Sequence, residues 1–146
     1  MSLEKQSISE TPEESLRDLE HLSENFLSHA NFPRNVGAVT QPNGVAIGIG
    51  VCGDSVEVSL LVRHNRVMDV KCRPEGCVYT VTCASALSEL IKGHTLEQAL
   101  ELSPEDVDQE LGGLPEDHMH CARLAVNTLG EAIDDYYLKS REENKA

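Results

Sequence analysis

The sequence predicts an α+β fold: a three-stranded antiparallel sheet with helices packed on one of its faces. Three observations carry that expectation. Within residues 45–73 lie three strand-like segments, two of which alternate apolar and polar side chains with a period of two. After Pro74 the apolar period lengthens to that of a helix and stays there to the end of the chain. No repeat or linker divides the 146 residues, so they make a single domain.

In chain order, residues 1–10 are polar and read as a disordered tail. Thr11-Pro12-Glu13-Glu14 has the capping box and early proline of a helix start, and Leu16, Leu19, Leu22 and Phe26 give that helix one apolar face. Asn35, Gly37, Asn43 and Gly44 punctuate a loop. Residues 45–51 (VAIGIGV) suit a strand, and 55–62 (SVEVSLLV) put Val56, Val58, Leu60 and Val62 on one face. His64-Asn65 suits a turn, and 66–73 (RVMDVKCR) put Met68, Val70 and Cys72 on one side. Residues 77–92 form a helix closed by Gly93. Thr95 with Gln98 caps a short helix over 96–101, and Ser103-Pro104-Glu105-Asp106 opens another that stops at Gly112-Gly113. A last helix runs from about 117 to 138, with Leu124, Ala125, Leu129, Ala132, Ile133 and Tyr136 as its buried stripe. The domain therefore spans 11–138, and 139–146 form a polar C-terminal tail.

Composition narrows the function. Apolar residues make up 40% and charged residues 25% of the chain, the balance of a soluble globular protein. Two Phe, three Tyr and no Trp leave the core to aliphatic side chains. A formal net charge of −13 argues against nucleic acid and against an anionic membrane surface. The first 20 residues are polar, and no apolar run approaches the ~18 residues of a membrane span, so a cytoplasmic protein is expected. An odd count of five cysteines in such a chain points to thiol or metal chemistry, not to a disulfide framework.

Three of those cysteines sit in reactive contexts. Cys52 lies between two strands in Val51-Cys52-Gly53-Asp54, where Gly53 permits a sharp turn and Asp54 adds a carboxylate. Cys77 follows Gly76 at a helix start, whose unpaired N–H groups favour thiolate. Cys121 follows His120 at another helix start. Adjacent helical side chains point about 100° apart, so the two reach one ion only at a helix edge or end. Three thiolates and an imidazole suit zinc, and thiolates equally hold iron–sulfur clusters. No CxxC occurs, which argues against a zinc ribbon or a thioredoxin-type site. Cys72 and Cys83 read as buried apolar residues, and His118 as an exposed one that could compete as a ligand.

The chain resembles the IscU family, equivalently the N-terminal domain of NifU proteins, which are iron–sulfur assembly scaffolds. The resemblance rests on Phe32-Pro33-Arg34-Asn35-Val36-Gly37, Cys52-Gly53-Asp54, Gly76-Cys77, the stretch from Lys92-Gly93 to Leu100, Leu114-Pro115, and His120-Cys121 followed by Leu124-Ala125. It covers roughly residues 15–137. It implies an IscU/SufE-like fold with the metal site at one end, and a transient 2Fe–2S cluster on Cys52, Cys77 and Cys121. Asp54 would keep that cluster labile, His120 would be a further ligand, and Cys121 would accept persulfide sulfur. It also implies Fe2+ as cargo and Zn2+ in the cluster-free form. The implied partners are a cysteine desulfurase, a ferredoxin, a frataxin-like iron donor and recipient apoproteins, with the scaffold a monomer or homodimer and not a conventional enzyme.

Two departures stand out. The family's "LPPVK" chaperone segment reads Leu114-Pro115-Glu116-Asp117-His118 here, which puts recognition by the usual Hsp70-type chaperone in doubt. The small residues usual after Cys77 include Tyr79. No further NifU-type domain is expected, so the chain reads as a stand-alone scaffold. The competing readings are a zinc-bound, SufU-like activator that accepts desulfurase sulfur, a structural zinc domain, and a thiol enzyme with Cys121 as nucleophile.

Overall fold

The computed structural model describes residues 23–145. Helix α1 (Glu24–Asn31) precedes strands β1 (Gly44–Ile49), β2 (Ser55–Arg63) and β3 (Arg66–Glu75). Helices α2 (Val78–Ile91), α3 (Leu96–Leu100) and α4 (Pro104–Glu110) follow, then a 3-10 turn (Glu116–His118) and the long helix α5 (Met119–Lys145). The sheet is antiparallel in the order β1-β2-β3. This is the α+β architecture expected from the pattern.

The hairpin between β2 and β3 turns on His64 and Asn65, both left-handed with φ of 54° and 63°, as a two-residue turn of type I′ demands. Beyond it Val56, Val58, Leu60 and Val62 all face inward and are buried. β3 departs from strict alternation. Leu61 pairs with Asp69 and Val62 with Val67, leaving Met68 as an extra residue. Val67, Val70 and Cys72 consequently point into the core while Met68 is half exposed, the reverse of the side expected for Met68. A bulge shifts the face of every residue beyond it, and alternation alone cannot announce one.

α2 and α5 cover the inner face. α5 crosses β1 closely because the inward positions of that strand are Gly44, Ala46 and Gly48. A β-carbon at Gly44 would lie 2.6 Å from the Ala132 carbonyl oxygen, and one at Gly48 would strike the Thr128 side chain. The expected stripe of α5, from Leu124 through Ile133, is buried there. α1 docks through Phe26, which is fully buried. Its cap, Ser23, accepts from the Phe26 N–H at 3.0 Å and donates to the Leu111 carbonyl at 2.5 Å. The Thr11 helix start, with Leu16, Leu19 and Leu22, lies outside the described residues; the described helix carrying Phe26 begins at Glu24, capped by Ser23.

The capping boxes at Thr95/Gln98 and Ser103/Asp106 are both present. Gly93, Gly112 and Gly113 take positive φ at the ends of their helices, the conformation that closes a helix without a β-carbon clash. The outer edge of β3 is covered by the loop at Asn35–Gly37: Cys72 N–H donates to the Asn35 carbonyl at 2.8 Å, and Gly37 N–H to the Cys72 carbonyl at 2.9 Å. α5 continues to Lys145, through residues expected to be a tail. Among the described residues no helix is long and apolar enough to cross a membrane.

The close approach of β1 and α5 generates a prediction. Gly48→Leu should force the two apart and lower stability by about 1–3 kcal/mol, read as a lower urea midpoint with an unchanged m-value.

Candidate metal centre

At one end of the sheet the β1–β2 loop, the start of α2 and the start of α5 meet around a cleft of about 320 Å³, lined by Cys52, Asp54, Cys77, Thr80, His118 and His120 among others. The loop is tied across its base: Gly50 N–H donates to the Asp54 carbonyl at 2.7 Å, and Gly53 N–H to the Gly50 carbonyl at 3.1 Å. Gly53 turns the chain at φ 87°, leaving Cys52 exposed at the tip. Gly76 brings the next segment in against it. A β-carbon there would meet the Asp54 Cβ at 2.7 Å and the Thr80 hydroxyl at 2.8 Å.

Cys77 is the N-cap residue of α2. Burial acts to raise its thiol pKa. Hydrogen bonds, chiefly from the backbone N–H groups of Thr80 and Tyr79, outweigh burial and hold it below the ordinary thiol value. The helix start was expected to favour thiolate in just this way. Cys121, in the first turn of α5, behaves oppositely. Burial, opposed by the Thr80 hydroxyl and reinforced by the Cys77 and Asp54 charges, pushes its thiol up to about 11. Cys72 is pushed to about 12 by burial, and burial likewise raises Cys83; both belong to the core.

His120 links two of the cysteines: its Nε2 lies 3.7 Å from Cys52 Sγ and 3.6 Å from Cys121 Sγ. Thr80, buried on α2, links the rest. Its hydroxyl lies 3.7 Å from Cys77 Sγ and 3.8 Å from Cys121 Sγ, and it donates to Asp54 Oδ2 at 3.1 Å. Ligand atoms of Asp54, His120 and Cys121 lie within 4.8 Å of one another, and so do those of Cys77, His118 and Cys121. The structure thus brings Cys52, Asp54, Cys77 and His120 to one cleft, sets the buried Cys121 behind its lining, and adds Thr80 and His118. No property of the sequence singles out Thr80, a small polar residue on a buried helix. His118 is half-buried instead of exposed, and its placement two residues before His120 at a helix start is the signal that marks it.

The donor set suits a soft or borderline d-block ion. With Zn–S bonds near 2.3 Å, tetrahedral ligand atoms stand roughly 3.8 Å apart, close to the separations around His120. The Asp54 Oδ1 and His118 Nδ1 atoms are buried and have no hydrogen-bond partner among the described residues. Buried polar atoms of that kind call for a partner, and an ion in the cleft would supply one.

A small α+β platform with thiolate and imidazole donors gathered from separate segments at one end of its sheet has the architecture of a metal-carrying scaffold. Comparison with known proteins makes the placement specific. Residues 21–143 match the family described as NifU-like N-terminal domain. The chain belongs to that family, as its motifs implied. It is 38% identical over 124 residues to an iron–sulfur cluster assembly scaffold protein IscU of Archaeoglobus fulgidus, covering 84% of this chain and 81% of that protein. It is 36% identical over 127 residues to the scaffold protein IscU of Aquifex aeolicus, covering 85% and 81%. Its fold is similar to the crystal structure of a NifU-like N-terminal protein from Brucella abortus, with a TM-score of 0.68 at 17% identity, covering 80% of this chain and 94% of that one.

The division of thiol character predicts a labelling order. In metal-free protein, Cys77 ionises at lower pH than Cys121. A thiol reagent at pH 8 should therefore modify the exposed Cys77 well before Cys121, with Cys72 and Cys83 silent until the protein is unfolded. Peptide mapping by mass spectrometry reads the order.

Proposed function

We propose that this chain is a scaffold on which an iron–sulfur cluster is assembled and from which it passes to recipient apoproteins. Cys52, Cys77 and Cys121 hold the cluster, with His120 and Asp54 as further ligands. The observation that carries this reading is the convergence of three cysteines from three separate segments, together with an imidazole, at an open cleft. A site built that way can admit and release its cargo, whereas a structural zinc site is closed. The family relationship supports the same reading.

Sulfur enters from a cysteine desulfurase as persulfide. The Cys121 thiolate attacks the outer sulfur, the S–S bond to the donor breaks, and the donor leaves as thiolate, so the transfer is redox-neutral. His120 is placed to take the Cys121 proton, which the raised thiol pKa makes necessary. Cys121 is only 1% exposed, so delivery requires the Cys52 loop or the segment leading into α5 to move aside. Each transferred sulfur then takes two electrons to become sulfide, a task suited to a ferredoxin, and Fe2+ comes from an iron donor of frataxin type. Asp54 is a hard oxygen ligand among soft sulfurs, which weakens its hold on the cluster and favours release.

The same donors fit a single tetrahedral ion, which supports a second reading: a zinc-bound acceptor that stimulates a cysteine desulfurase and never holds a cluster. Anaerobic reconstitution with Fe2+, cysteine and a desulfurase separates the two. A scaffold develops the visible absorption and Mössbauer doublets of a 2Fe–2S centre, and Cys52→Ser, Cys77→Ser or Cys121→Ser each abolish it. Zinc-stimulated desulfurase turnover with no cluster would establish the activator instead. Asp54→Ala should slow cluster transfer to an apo-ferredoxin while leaving assembly intact. Chelation of bound zinc should leave the far-ultraviolet circular dichroism unchanged, because the core lies outside the cleft.

A further inference from the structure

His118 and Tyr79, each in a segment where the sequence departs from the resembled motifs, lie against each other. The His118 ring stacks on Tyr79, with centroids 3.7 Å apart and planes 14° from parallel. Tyr79 in turn contacts the fully buried Phe26 ring at 5.4 Å, so the platform beneath His118 is anchored in the core. The backbone holds His118 from the other side: it closes the 3-10 turn before α5, donating its N–H to the Pro115 carbonyl at 2.9 Å. A surface histidine has no need of such support.

The ring so held has a buried Nδ1 with no hydrogen-bond partner among the described residues. One of its nitrogens lies within 4.8 Å of both Cys77 Sγ and Cys121 Sγ. Withdrawing an imidazole nitrogen from water without a partner is unfavourable unless something accepts it or uses its lone pair. Among the described residues no partner meets Nδ1, and the Cys77 and Cys121 thiols stand beside the ring, so that the three side chains form a sulfur–sulfur–nitrogen face.

We propose that His118 is a second imidazole ligand of the cleft, completing a site with Cys77 and Cys121 for a divalent d-block ion such as Zn2+ or Fe2+, and that Tyr79 is its positioning residue. The proposal rests on the reading of the cleft as a metal site. Cys121 belongs both to this set and to the one with Asp54 and His120, whose ring lies 6.0 Å from that of His118. An ion can therefore shift between the Cys77 side and the Cys52 side while keeping its bond to Cys121 and exchanging one imidazole for the other.

The test uses the full chain stripped of metal and titrated with Zn2+ against a chromophoric chelator, with X-ray absorption at the zinc edge to count nitrogen and sulfur ligands. His120→Ala removes the competing imidazole. In that background the zinc should retain one nitrogen ligand and two or more sulfurs, and adding His118→Gln should eliminate the nitrogen and weaken affinity by about 10- to 100-fold, the range seen when groups around a metal are lost. Tyr79→Leu should weaken affinity by roughly tenfold at the low end of that range, whereas Tyr79→Phe, which keeps the stack, should restore it. Equal affinity and equal nitrogen count with and without His118 would overturn the proposal while leaving the cleft a metal site. Failure of the unaltered chain to bind Zn2+ at all would overturn both.

Discussion

The site depends on how closely α5 can lie against β1. Gly44 and Gly48 present no side chain to the helix, so the Ala132 and Thr128 turns settle directly on the strand. That contact sets the line of α5, and the line of α5 decides where its first turn arrives. His120 and Cys121 come to the end of the sheet beside the β1–β2 loop, where His120 Nε2 lies 3.7 Å from the sulfur of Cys52, 68 residues earlier in the chain. A bulkier β1 would leave each segment intact and separate the donors. The chemistry at one end of the molecule is thus a consequence of packing along its length.

Within the cleft, Thr80 does for the donors what the glycines do for the elements. One hydroxyl faces Cys77, Cys121 and Asp54 together. Its single proton goes to one oxygen of Asp54, leaving the other oxygen without a partner among the described residues, while the Thr80 backbone N–H favours thiolate at Cys77. The metal-free site therefore holds unequal sulfurs: an exposed one that ionises readily and a buried one that does not. Such inequality gives an order to ion binding, because an ion entering from solvent meets the exposed Cys77 and Cys52 before the buried Cys121.

Much of this was legible in the sequence, because local rules decide it. The His64-Asn65 turn, the capping boxes at Thr95 and Ser103, the glycine closures and the period change after Pro74 all act over a few residues, and each is where the pattern puts it. The Met68 bulge was not legible, since an inserted residue leaves the apolar count unchanged and alters only the register. The continuation of α5 to Lys145 escaped because residues 139–143 bury no apolar side chain and so carry no apolar stripe. The gathering of the site residues could not be read from spacing either. Cys52, Cys77 and Cys121 were marked by their loop and helix-start contexts, and their association came from the family resemblance. Thr80 and the burial of His118 belong to the third dimension alone.

The scarcity of aromatic side chains has an optical consequence. The chain holds three tyrosines and no tryptophan. Tyr136 and Tyr137 sit together on the later part of α5, with rings 5.4 Å apart, while Tyr79 alone stacks on a ring that lines the cleft. With no indole to drain or mask its emission, Tyr79 is a built-in fluorophore beside the cleft. The near-ultraviolet background is also faint enough for sulfur-to-metal charge-transfer bands to stand clear of it. An ion entering the cleft would be detected without an attached dye.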